Sequence, residues 1–348
     1  MTNSNNSRVG VVVIGRNEGE RLKRCLYSIV HNASHIVYVD SGSTDESVEF
    51  AKSLGIGVVD LDMSKQFTMA RGRNAGFLRL MKLDPEIQYV QFVDGDCEVV
   101  EDWISKACQK LDNRPEVAVV CGRRRERFPD ATIYNRYCDM EWNLSLGELD
   151  ACGGDAMMRC DAFRQTNGFN PMMIAGEEAE LCFRIRQQGW KIFRLDEDMT
   201  IHDAAIDKFA QFWKRNVRSG HAYAERVFMH GQQPERSALM RPLKSAITWG
   251  GVIPALYLIF LLSSFWNPKA LLLVSALSVF YFVQGYRIYR YRRKRNDAPN
   301  YALCYAILCL VLKIPELIGI LTFLFNRARG QTTRLIEYKG ETISHRAR

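Results

Sequence analysis

Two textures of hydrophobicity divide the chain. From Met1 to about Arg236 the apolar residues come in short runs broken by charge, and from Leu243 to Phe325 they come in long runs. In the first part, Arg8–Ile14 is compact and β-branched, the pattern of a strand buried on both faces. Glu18–Val30 places Leu22, Cys25, Leu26 and Ile29 at helical spacing. Ile36–Val39 is a second strand-like run, closed by Asp40 and the turn-rich Ser41–Asp45. Ser47–Leu54 reads as a helix, Gly57–Leu61 as a strand and Tyr89–Val93 as another. Strands alternating with helices predict an α/β fold built on a mainly parallel sheet. Such sheets bind ligands at the carboxyl ends of their strands. The polar residues just after each run are therefore the candidates: Arg16-Asn17-Glu18, Asp40 and Asp94-Gly95-Asp96. Neither GxxxxGK[ST] nor a GxGxxG after a strand occurs, so the sheet binds its ligand without a glycine-rich phosphate loop.

The second part reads as membrane. Ser245–Pro268 holds no charged residue and is long enough to span. Ala270–Tyr286 is shorter and returns after a tight link at Asn267-Pro268-Lys269. Arg287–Arg295, together with Arg236, Arg241 and Lys244, puts positive charge at the cytoplasmic ends of both spans. A third stretch, Tyr301–Phe325, is interrupted by Lys313, Pro315 and Glu316, a combination costly at mid-bilayer. The tail carries Arg327, Arg329, Arg334, Lys339, Arg346 and Arg348 against Glu337 and Glu341. That excess predicts a cytoplasmic tail, and so a third segment that bends at Pro315 without crossing completely. The expected organisation is a catalytic domain over 1–235 (halves 8–125 and 126–235), then a membrane region over 236–348. Its spans fall at about 245–266 and 269–286, and its re-entrant segment at about 301–326.

Composition refines this reading. The net charge of +8 in 348 residues would suit a polyanion. Much of the excess flanks apolar segments rather than covering a folded face, which favours membrane lipids and no nucleic acid. The ten cysteines form no CxxC pair and no His–Cys spacing, so neither a zinc site nor a disulfide framework is expected. Met1–Ser7 is polar and carries no signal-peptide core, so the first domain is expected to stay in the cytoplasm at the inner membrane.

Six stretches, VVVIGRNEGERLKRCLYSI, VYVDSGSTDES, ARGRNAG, VQFVDGDCEV, GGDAMMRCDAFRQTNGFN and GEEAELCFRIRQQGW, occur in order between Val11 and Trp190. Together they resemble the family 2 glycosyltransferases of GT-A (nucleotide-diphospho-sugar transferase) fold. The resemblance implies an enzyme that moves a sugar, with inversion, from a nucleotide-sugar donor to a hydroxyl of a glycan or lipid-linked acceptor. Asp94 and Asp96 resemble the family's DxD motif. Two apart on an extended segment, they face the same way and suit Mn²⁺ or Mg²⁺. The same spacing also makes an ordinary turn.

Asp40 sits where the family binds the donor's base, and it is equally a natural turn aspartate. Arg16, Asn17 and Glu18 would line the nucleotide pocket, although Gly15-Arg16 departs from the family's usual residues there. Arg71, Arg73 and Asn74 fall on a helix suited to the diphosphate. Gly154 and Asp155 belong to the acceptor half, with Glu177. Glu178 stands where the family has an aspartate base, against the alternative of a charged helix start. His202 is a metal ligand by resemblance or a structural histidine. Two rivals stay open: a polyprenyl-phosphate sugar synthase, whose ionised acceptor needs no base, and a nucleotide-sugar-binding membrane protein without turnover. The sugar, the acceptor and the oligomeric state are not encoded in any motif.

Overall fold

The computed structural model describes residues 7–232 and 236–331, with 333 and 336 beyond them. The polar start over Met1–Asn6 and most of the basic tail lie outside the described residues. The chain divides into two compact units, the first ending at Ile206 and the second beginning at Asp207.

The first unit begins with β1 (Val9–Gly15), α1 (Glu20–Ile29), β2 (His35–Asp40), α2 (Ser47–Ser53), β3 (Gly57–Asp60), α3 (Met69–Leu83) and β4 (Tyr89–Asp94). These are the sequence-predicted elements, shifted by a residue or two. β1 and β2 are apolar almost throughout because both faces of the sheet are covered. β5 (Cys97–Val99), α4 (Trp103–Asn113), β6 (Val117–Glu126) and α5 (Ile133–Trp142) follow. After them come β7 (Gly147–Leu149), β8 (Ala156–Arg159), α6 (Cys160–Gln165), α7 (Glu177–Gln187) and the long β9 (Lys191–His202).

The sheet runs β3-β2-β1-β4-β8-β6-β9-β5, with β7 also on β9. β3, β2, β1 and β4 are parallel, as are β6 and β9. β8 joins the two groups by antiparallel pairing, making a mainly parallel mixed sheet. Register matters most at its carboxyl edge. Gly15 pairs with Asp40, and Ile14 with Asp94, so the polar residues after three separate strands share one rim. Further along the same rim, His202 pairs with both Cys97 and Glu126. Beneath, Trp103 is fully buried, and its indole N–H finds Gln91 Oε1 at 2.8 Å, so the core carries a satisfied polar pair.

The second unit is helical: α8 (Phe209–His230), α9 (Arg236–Ile247), α10 (Ile253–Ser263), α11 (Ala270–Lys294), α12 (Pro299–Val311) and α13 (Lys313–Ala328). A single π turn, Thr248–Val252, joins α9 to α10. Among the described residues, three helical stretches are long and apolar enough to cross a membrane: Ser237–Ser263, Ala270–Lys294 and Pro299–Ala328. The third is broken at Leu312, three residues before Pro315. Proline has no N–H and its ring presses on the carbonyl four residues back, so the break falls where that chemistry requires. Lys313 Nζ lies 2.8 Å from Glu316 Oε2, so the two charges meet as a pair.

α13 packs along α8 at backbone distance. A Cβ on Gly220 would lie 1.8 Å from the Glu316 carbonyl, and one on Gly319 1.9 Å from that of Val217. Glycines at such crossings let helices touch. The unit boundary therefore falls ahead of α8 instead of near residue 235, because α8 finds its partner in α13.

Candidate active site

The site grows from the sheet's carboxyl rim. α3 starts behind Thr68, whose hydroxyl caps the Arg71 N–H at 3.2 Å. That start directs Arg73 inward, where it is 1% exposed. Its Nη2 donates to Asp94 Oδ1 at 2.7 Å, and its Nη1 donates to Glu177 Oε1 at 2.7 Å and to Glu178 Oε1 at 3.2 Å. One guanidinium thus ties the end of β4 to the start of α7. Arg124, from β6, reaches Asp155 Oδ2 at 2.8 Å and Asp94 Oδ2 at 3.4 Å. Burial alone would favour the neutral acid at Asp94. The Arg73 and Arg124 guanidiniums outweigh it and hold that carboxyl well below the usual carboxylate range. Both arginines are in turn pushed further up by their carboxylates, against the opposing effect of burial.

Next along the rim, His202 Nε2 lies 3.2 Å from Asp96 Oδ2. Its Nδ1 faces Glu126 Oε2 at 3.7 Å, and its ring meets Trp142 edge-on with centroids 4.8 Å apart. Glu126 is itself anchored by the backbone N–H groups of Phe128 and Ala204, both at 3.1 Å. A carboxylate and an imidazole nitrogen side by side, with a second carboxylate behind the imidazole, fit the donor set and outer support of a Mn²⁺ or Mg²⁺ site.

Several residues expected at the ligand have other partners. Asp155 is wholly buried. It accepts from the Asp94 backbone N–H (3.0 Å) and from Thr200 Oγ1 (2.7 Å), so it supports Asp94 from below instead of facing an acceptor. Gly154 is needed by the protein: a Cβ there would sit 2.7 Å from Arg73 Nη2 and 3.0 Å from Asp94 Oδ2. Glu177 is 1% exposed and bound to Arg73.

The residues assigned to the donor divide in the same way. Arg71 pins the preceding loop through the carbonyls of Asp62, Lys65 and Gln66. Arg73 also spends its fork on protein carboxylates. Asn74 pairs both ways with the Phe169 backbone (2.7 and 3.0 Å). Asp40 accepts from the Tyr38 hydroxyl (2.9 Å) and from the backbone N–H groups of Gly42 (2.9 Å) and Ser43 (2.8 Å), building its turn. Asn17, at φ 54°, receives the Thr44 N–H at 2.7 Å and so locks the two rim loops together. Glu18 meets Arg21 at 2.8 Å, and Arg16 is exposed at the rim. Sequence reasoning missed Arg124 and Glu126. Both follow the apolar run of β6, the same signal that picked out Asp40 and Asp94.

Residues 10–166 match the family model of Glycosyl transferase family 2. The succinoglycan biosynthesis protein ExoA of Rhizobium meliloti (strain 1021) is 22% identical over 63% of this chain and 69% of its own length. The O-antigen chain rhamnosyltransferase RfbN of Salmonella typhimurium is 24% identical over 48% of this chain. Only 56% of that relative's length is spanned. Among solved structures, the mannosyltransferase PcManGT from Pyrobaculum calidifontis, in complex with GDP-Man and Mn²⁺, superposes with a TM-score of 0.56 at 14% identity. The match covers 92% of this chain and 88% of that one. The chain carries a family 2 glycosyltransferase domain of GT-A fold, and it is a transferase.

Proposed function

We propose that the chain is an inverting, metal-dependent glycosyltransferase acting at the cytoplasmic membrane face. It would move a sugar from a nucleotide-diphosphate sugar to a hydroxyl of a glycan or lipid-linked acceptor. The observation that carries this reading is the Asp94–Arg73–Glu178 bridge beside the Asp96–His202 pair. It joins a diphosphate-and-metal corner to a carboxylate suited to proton abstraction.

Asp96 and His202 would hold the cation, with Asp94 next to them. When bound, it supplies neutralisation of the charge that builds on the leaving diphosphate. Glu178 keeps 17% of its side chain exposed, whereas Glu177 is sealed, so Glu178 is the carboxylate open to an acceptor. It takes the acceptor hydroxyl's proton as the oxygen attacks the anomeric carbon and the nucleoside diphosphate departs from the opposite face. Arg73, donating to Glu178 Oε1 at 3.2 Å, would hold that carboxylate in place. The relatives named for succinoglycan and O-antigen chains support a surface polysaccharide as the product class.

For the membrane region, α13 lies against a helix that carries Lys214, Arg215, Arg218 and Arg226. The whole apolar stretch Pro299–Ala328 is 39% buried, against 17% and 6% for the other two. Both facts support two crossings and a third segment held at the membrane face.

Glu178→Gln is the test. Transfer to a hydroxyl acceptor should fall about 10²–10⁴-fold with donor affinity unchanged. A loss smaller than about ten-fold would sink the base assignment and favour a phosphate acceptor.

A further inference from the structure

α11 and α12 enclose a groove of about 610 Å³ that the transfer reaction leaves unused. Its volume falls within the range of small-molecule sites. Phe282, Tyr286 and Tyr289 form one wall, and Leu303, Ile307 and Leu310 the other. From Tyr281 to Tyr289 it runs about 12 Å along α11 at 1.5 Å per residue.

The two ends differ. The end near Leu310 is hydrocarbon, and the end near Pro299 and Asn300 adjoins the basic run Arg287–Arg295. Arg290 Nη1 donates to the Tyr286 hydroxyl at 3.2 Å, which sets a guanidinium on the groove wall. Arg293 lies four residues beyond Tyr289, on the same helix face, and is exposed. Tyr286 and Tyr289 stack with centroids 6.3 Å apart, an aromatic pair of the kind found at headgroup depth. Arg292 keeps the groove in shape: it is buried, its Nε is 2.7 Å from Asp297 Oδ2, and its guanidinium lies over the Tyr305 ring at 4.7 Å. Asp297, the acid near this end, is thereby paired.

We propose that this groove binds an anionic phospholipid of the surrounding bilayer, with an acyl chain between α11 and α12 and its phosphate at Arg290 and Arg293. A zwitterionic lipid would bring its own cation beside the arginines and cancel part of the attraction, and a second copy of the helix pair would set like charges together. The proposal rests on the membrane reading of these helices and not on the transfer chemistry.

The test uses the purified full-length protein in mild detergent, offered equimolar phosphatidylglycerol and phosphatidylcholine, with retained lipid counted by native mass spectrometry. One phosphatidylglycerol is expected in preference to phosphatidylcholine. Arg290→Gln with Arg293→Gln should erase that preference, by about five-fold per side chain, while phosphatidylcholine is still retained. Arg287→Gln, two residues on from Gly285 and so on the far side of α11, should change nothing.

A Cβ at Gly285 meets only Leu310 Cδ1, at 3.5 Å, so a side chain can start there, and Gly285→Leu should fill the groove and expel both lipids. Leu303→Trp, at an exposed lining position, should do the same and guards against misfolding at Gly285. Equal retention of the two lipids by the wild type refutes the anionic site. So does unchanged retention in the filled variants, or a doubled mass that only they lose. Failure of the protein to sediment with vesicles of either lipid would instead remove the membrane reading beneath it.

Discussion

Replacing Arg73 with methionine removes one cation from among three carboxylates while keeping most of the side chain's apolar length. At 2.7 Å and an effective dielectric constant of 20, each close contact contributes about 6 kcal/mol of attraction, and desolvation of the ions offsets most of it. The wild-type cluster therefore adds little net stability. The variant keeps the buried Glu177 and the half-buried Asp94 and Glu178 but loses what neutralised them, and breaking a buried pair such as Arg73–Glu177 costs about 3–5 kcal/mol. Hydrogen exchange should localise the loss. Amide protection in α3, β4 and α7 should fall about 150- to 4,000-fold at pH 7.5, with the second unit unaffected.

The pH dependence has a definite sign. Asp94 is depressed in the folded wild type, so its contribution is present above the ordinary carboxylate pKa and is lost as pH falls through the lowered value. Without Arg73 that depression shrinks. The gap between wild type and variant should be widest near neutrality and should narrow below about pH 4. Arg73→Lys should fall between them, since one ammonium cannot reproduce a fork that spans three acids. Wild-type protection in Arg73→Met at pH 7.5, or a loss spread evenly over the chain, would refute the reasoning.

Gly154→Ala forces a methyl against Arg73 and Asp94, so the first unit should lose about 1–3 kcal/mol by overpacking in chemical denaturation, and transfer should drop with it. Asp96→Asn and His202→Gln should each abolish tight Mn²⁺ binding measured by titration calorimetry on the donor-free protein, and wild-type affinity in either would remove the metal assignment. Glu126→Gln touches no metal in this arrangement, so it should weaken Mn²⁺ about 10–100-fold without abolishing binding. Phosphatase and fluorescent-protein fusions at Arg348 should report a cytoplasmic end; an active periplasmic phosphatase would show that the third segment crosses.

The local elements of the donor half could be read from the sequence because each is written in contiguous residues. A strand buried on both faces must be apolar throughout, as Val9–Ile14 is, and an amphipathic helix must repeat near 3.6, as Leu22, Cys25, Leu26 and Ile29 do. Family motifs then marked Asp94, Asp96, Glu178 and His202. The motifs could not say which polar residue faces ligand and which faces protein. Asp155 and Glu177 look no different from catalytic acids in sequence, yet Thr200, Arg124 and Arg73 claim their oxygens from strands and helices distant along the chain. The pairing of His202 with Glu126 depends on β9 lying parallel to β6, a long-range register that no local pattern encodes. The same holds for α8: its composition says only that it is aromatic and basic, and the backbone contact of Gly220 with Glu316 places it against α13. Periodicity and hydropathy are properties of neighbours in sequence, whereas the partner of a charge is settled only when the chain has closed around it.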